Sequence, residues 1–333
     1  MFDASNCTNF KAFKNGVYFH IARQIVAHRW LFNYLFGATP FNLNDSDSRT
    51  PQLTKPVRSL RTSEYGFVND KGEKITYDTD YTHHQQQIEQ LISQGKLFSE
   101  HEVYGPVRFK RKIDNENEVK YLEIRILDTD PFDIAGISEN DLNLIHLLLI
   151  YFLVKDDELT ESALQHNEDL SNRTSLQQST ETLLNKQDAL AIMQDISQLA
   201  DHFGIRFNDG LALIADRVLM PSKTPAAKIV VAASDATEMQ LWATKLGNER
   251  TDYFKTHEKE RLYTAVVYYN PELKSLEKRD LDQLKNNPPV QFTTQEHAQG
   301  LAYLSGQVKS DKLWPIFLSP IIKGMRKCHN LGT

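Results

Sequence analysis

In the stretch "KYLEIRILDTDPFD", residues 120–133, Leu122, Ile124 and Ile126 alternate with Tyr121, Glu123 and Arg125. A period of two is that of a half-buried strand, so the aliphatics share one face and the carboxylate and guanidinium the other. A carboxylate and a guanidinium are groups that can bind partners of opposite charge, so the residue types on this face suit polar chemistry. The segment before it, "EHEVYGPVRFKRK", also alternates, with Val103, Val107 and Phe109 set against Glu102, Tyr104, Arg108 and Lys110. Joined by the polar loop "IDNENEV", the two runs predict an antiparallel hairpin over residues 102–110 and 120–127. From spacing alone the commoner reading of its charged face is a solvated one.

Other elements must hold that hairpin. Apolar residues from Val17 to Leu35 fall at helical spacing, so residues 15–36 predict one long helix, with Gly37 as a stop before Pro40. Residues 42–56 read as a polar, proline-bounded loop, and 57–70 as a strand broken at Gly66. A short helix follows, with Asp80 or Thr82 as its cap and Gly95 as its end. His83 and His84 on it read as a surface pair, since neighbouring helical residues diverge by about 100°. Beyond Pro131, Ser138 with Asp141 three residues on forms a near capping box for a helix through "LNLIHLLLIYFLV" that is apolar almost all round and therefore buried. From residue 156 the pattern is helical with polar linkers, which gives two regions: a part with the hairpin and its helices, 1–155, and a mainly helical part, 156–333.

Composition excludes several classes. The chain has 333 residues, 40% hydrophobic and 25% charged, with a formal net charge of −6, so no overall positive field draws nucleic acid. Its longest apolar run is shorter than the roughly 20 residues that cross a bilayer. Cys7 and Cys328 give no disulfide framework, and the first residues lack an apolar signal core, so the expected setting is the cytoplasm, with no membrane partner.

Four motifs in order, "HRWLFNYLFGATP", "SLRTSEYGF", "EVYGPVRFKR" and "YLEIRILDTDPFDIAGIS", resemble bacterial glutamate-cysteine ligase, most of all the version found alongside fused glutathione synthases. The resemblance implies an α+β protein: part of a glutamine-synthetase-like curved antiparallel sheet, helices packed on its outer face, and a helical C-terminal region. It implies ATP-dependent ligation of the glutamate side-chain carboxylate to cysteine through an acyl phosphate, the first step of glutathione biosynthesis, with Mg2+ and ATP.

Residue by residue, Glu123 matches the family's magnesium ligand and Arg125 the arginine on the transferred phosphate. Arg61 matches the arginine of the substrate-binding strand, where its fork suits a carboxylate or phosphate. Tyr104 matches a tyrosine near cysteine. Phe67 stands where some members have tyrosine, so a hydroxyl contact to cysteine is absent at that position. Arg108 and Lys110 are expected near the nucleotide phosphates. The likeness is to the C-terminal two-thirds of a ligase, without the region that carries further acidic magnesium ligands and a His-x-Asn-Phe segment. The expectation is therefore an incomplete multi-magnesium site on this polypeptide, with the alternative of a non-catalytic or interaction subunit that pairs with a separate N-terminal part.

Overall fold

A computed structural model describes residues 9–43, 53, 55–66, 75–77, 80–112, 115–155, 159–203 and 208–268. Phe67, both cysteines and the C-terminal segment "SDKLWPIFLSPIIKGMRK" lie outside the described residues. By its contacts the chain divides into two units, Met1–Leu246 and Gly247–Thr333, and the boundary expected at 155/156 falls inside the first. In the second unit the described residues, 247–268, are helical.

The long helix expected over residues 15–36 is two helices, α1 (Phe10–Ala27) and α2 (Arg29–Phe36), meeting at His28. His28 leaves helical geometry there, and its Nδ1 lies 2.7 Å from the Gln24 carbonyl. In α2 seven residues in a row, Trp30 to Phe36, are buried, because neighbours cover it on every side. Helix α3 (Tyr81–Ser93) starts at Asp80, whose side chain accepts the His83 amide at 2.8 Å, and beyond its end Gly95 takes φ +69°.

Among the described residues the sheet is one antiparallel hairpin, β1 (Val107–Lys112) with β2 (Asn115–Ile124). It is displaced from its expected limits. Residues 100–102 form one 3-10 turn instead of strand, β2 begins inside the stretch read as a loop, and its pairing with β1 ends at Ile124. The register sets Val107 opposite Ile124 and Phe109 opposite Leu122, so these four share the face that joins the core. Residues 57–66, read as strand, instead form turns with isolated bridges Thr39 to Ser59 and Val57 to Gln178. Gly66 closes the last of these turns: a Cβ there would stand 1.9 Å from the Arg61 carbonyl oxygen.

Helix α4 (Glu139–Val154) carries the capping box in full, with Ser138 and Asp141 bonding reciprocally. It packs on α1, on α6 (Lys186–Phe203) and on α7 (Asn208–Leu219), while α2 packs on α5 (Glu161–Leu176). The short α8 (Pro225–Ala232) follows, then α9 (Ala236–Tyr268). The core is continuous from the inner face of the hairpin through α1, α2, α4, α6 and α7. His84 corrects the expected surface pair: it is 3% exposed, ringed by Phe19, Tyr77 and Phe109, and burial lowers its pKa to about 4. Among the described residues no helix is long and apolar enough to cross a membrane.

Candidate functional site

The outer face of the hairpin collects charge because its core face takes every aliphatic. Arg108 stands opposite Glu123 and Lys110 opposite Tyr121, so all four project outward. Lys110 Nζ lies 3.2 Å from Glu123 Oε2, and Arg125 Nε lies 3.6 Å from Glu123 Oε1. The Arg125 guanidinium carbon is 6.0 Å from the centre of the Tyr104 ring. The Val103 carbonyl accepts from both Arg125 Nη1 at 3.1 Å and Arg108 Nη2 at 3.2 Å. Arg108 also donates to the His101 carbonyl at 2.6 Å, which folds the turn before β1 against this face. The side chains of Lys110, Arg125 and Glu123 remain partly exposed, so a solute can reach them and water weakens their pairing.

Behind the cluster stands Arg61. Its Nε donates to Asp128 Oδ1 at 2.5 Å, while Nη1 and Nη2 donate to the carbonyls of Arg125 at 3.1 Å and Ile126 at 2.8 Å. The segment that carries it is fastened from two sides. Leu60 N donates to the Thr39 carbonyl, and the amides of Arg58 and Ser59 both donate to the Ser175 carbonyl at the end of α5. Arg58 itself is fully buried over the Tyr34 ring at 4.1 Å, donating to the carbonyls of Ser179 and Glu181, and burial lowers its pKa to about 10.

Of the residues singled out from the sequence, Tyr104, Arg108, Lys110, Glu123 and Arg125 come together on one face. Arg61 grips the strand end just beyond it, with a protein carboxylate, Asp128, as its partner. Phe67 lies outside the described residues. Magnesium finds a poor donor set here: Mg2+ takes near-octahedral oxygen ligation, whereas Glu123 sits between two cations. Among the described residues no three His, Cys, Asp or Glu side chains are grouped to hold a metal ion. The described residues alone therefore do not fit that ion, and they suit an anionic group better.

Sequence reasoning passed over Asp128, although a signal existed. It falls at the parity of Leu122, Ile124 and Ile126, so a carboxylate was being directed inward and needed a partner. Arg217 and Asp141 were missed too. They form a buried ion pair at 2.7 Å between α7 and α4, with Arg217 also donating to the Leu35 carbonyl.

The fold is that of solved enzymes of glutathione biosynthesis. It matches a bifunctional glutathione synthetase from Pasteurella multocida with a TM-score of 0.63 at 23% identity, over 73% of this chain and 34% of that one. It matches a glutamate-cysteine ligase from Francisella tularensis, solved with AMP, with a TM-score of 0.56 at 21% identity, over 74% of this chain and 64% of that one. In sequence, the glutamate-cysteine ligase family model matches residues 76–175, which contain the whole hairpin face. The glutathione biosynthesis bifunctional protein GshAB of Streptococcus thermophilus is 32% identical over 212 residues, 62% of this chain and 28% of that protein. Its counterpart in Enterococcus faecalis is 26% identical over 325 residues, 93% of this chain and 42% of that protein. The chain thus resembles bacterial glutamate-cysteine ligase, and it spans 28% and 42% of the length of these two curated relatives.

Proposed function

We propose that this chain forms part of a cytoplasmic ATP-dependent ligase that joins the side-chain carboxylate of L-glutamate to the amine of L-cysteine, the first step of glutathione biosynthesis. In this reading the glutamate carboxylate takes the terminal phosphoryl group of ATP, releasing ADP. The cysteine amine then attacks the acyl phosphate, an amide forms, and phosphate leaves. The hairpin is one part of a curved antiparallel sheet of the glutamine-synthetase kind, completed by the N-terminal region that the resemblance to the longer ligases implies.

The observation that carries the reading is the cluster of Lys110, Glu123, Arg125 and Tyr104 on one accessible face inside the segment that matches the ligase family. Arg125 offsets charge on the transferring phosphoryl group, a role for which a preorganised planar donor is suited. Arg108 and Lys110 face the nucleotide phosphates, Tyr104 lies beside cysteine, the family resemblance assigns Phe67 to the substrate-binding residues, and Arg61, engaged by Asp128 and two carbonyls, supports the strand end that carries Arg125. Glu123 keeps Lys110 and Arg125 gathered, and no step is routed through a metal ion. The solution of the Francisella relative with AMP supports a nucleotide at this fold.

Coupled ADP release with glutamate and cysteine tests the reading, run on the chain alone and on the chain joined to the preceding region of a GshAB relative. ADP release that requires both amino acids in either form supports it. Folded protein in both forms with no such release contradicts it and favours the interaction subunit.

A further inference from the structure

Asp128 lies four residues beyond the end of β2, at the parity of its inward residues Leu122 and Ile124, and its side chain is fully buried. Its two oxygens face different parts of the molecule. Oδ2 accepts the Ala38 amide at 2.7 Å and the Thr39 hydroxyl at 3.0 Å, holding the chain just after α2. Oδ1 accepts Arg61 Nε–H at 2.5 Å. Once Nε is fixed the guanidinium plane is fixed, and its terminal nitrogens meet the carbonyls of Arg125 and Ile126 at 3.1 and 2.8 Å. The Arg125 amide still donates to the Pro106 carbonyl at 2.8 Å across the hairpin, while its own carbonyl and that of Ile126 lie past the last register pair, Val107 with Ile124, and are held by the fork.

We propose that Asp128 is a positioning residue for Arg125, acting through Arg61. The carboxylate orients the fork, the fork grips the backbone at residues 125 and 126, and that backbone presents the Arg125 side chain beside Glu123 and Tyr104. The functional consequence rests on the reading of Arg125 as the cation facing the phosphoryl group. A merely structural Asp128 would account for the bonds to Ala38 and Thr39 but would leave Arg125 indifferent to it. Asp128→Asn separates the two roles. The amide keeps its oxygen toward the Ala38 N–H, and its NH2 then meets the Arg61 Nε–H donor against donor.

The test follows the arginine Nε–Hε signals of the full 333-residue chain by NMR, assigned with Arg61→Lys and Arg125→Lys. In the wild type the Arg61 signal is protected from exchange. In Asp128→Asn it loses that protection, and the Arg125 signal shifts and broadens. An Arg125 signal that stays unchanged while that of Arg61 is lost overturns the relay. Arg61→Lys leaves the Ala38 and Thr39 bonds of Asp128 in place and is expected to perturb Arg125 in the same way, so it decides the matter should Asp128→Asn fail to fold.

In the form of the enzyme that turns over, Asp128→Asn is expected to lower kcat about 10- to 100-fold, as a small misplacement of a reacting group does. KM for ATP should move far less, because the nucleotide contacts assigned to Arg108 and Lys110 are untouched. Equal changes in kcat and KM contradict positioning. Absence of ligation by the wild type strikes the functional reading alone, since the NMR experiment still decides the relay.

Discussion

Lys110 Nζ lies 3.2 Å from Glu123 Oε2 across the hairpin, although the register pairs Glu123 with Arg108 and Lys110 with Tyr121. The contact is a diagonal one between strands, within reach of a long side chain. With the two side chains 27% and 37% exposed, water screens it. Glu123→Gln is therefore expected to change unfolding free energy by less than about 1 kcal/mol in urea titrations. A loss of several kcal/mol would make the cluster a structural feature and not a site.

The buried pair behaves in the opposite way. Arg217 and Asp141 are each 3% exposed and 2.7 Å apart, and Asp141 also completes the capping box of α4. Removing one partner leaves a charge without water or counter-ion, so Arg217→Met is expected to destabilise by about 3–5 kcal/mol. The urea midpoint measures this, and a shift within error would show that the site relaxes to admit water.

His84 gives the fold an acid weakness. Burial lowers its pKa to about 4, below the ordinary value of 6.5, so between those pH values the unfolded chain binds a proton that the folded chain refuses. Stability contributed by the neutral ring is present above pH 6.5 and falls as pH drops toward 4, by about 3 kcal/mol in all. In His84→Phe the fall in stability from pH 7 to pH 4.5 should be shallower than in the wild type. An unchanged slope would assign the acid sensitivity to other groups.

Gly66 marks where backbone closeness matters. An added Cβ would stand 1.9 Å from the Arg61 carbonyl oxygen and 2.7 Å from that of Leu60, neither of which can swing aside as a side chain can. Gly66→Ala is expected to cost at least about 1–3 kcal/mol as an overpacked site. Because the displaced backbone carries Arg61, the ligation rate should fall with it. Unaltered melting of the variant would show that the turn has slack.

The hairpin was legible because alternation is a local signal that the register preserves: Leu122 and Ile124 turned inward and Glu123 outward as their spacing required. The capping box at Ser138 was legible for the same reason, since its partners are three residues apart. What escaped depended on distant pairing. The break at His28, the burial of His84 and the absence of strand at 57–66 follow from packing against elements far along the chain, which local periodicity does not encode. The partner of Arg61 is 67 residues away, and only the inward parity of Asp128 hinted at it.

The most direct measurement is steady-state kinetics of Arg125 variants in the form of the enzyme that ligates glutamate to cysteine. If Arg125 stabilises charge that grows during phosphoryl transfer, Arg125→Ala should lower turnover about 100- to 1000-fold with a smaller effect on amino-acid KM. Arg125→Lys should recover little, because a point ammonium does not reproduce the planar fork. Near-normal turnover of Arg125→Ala would contradict the assignment of the hairpin face as the ligation site.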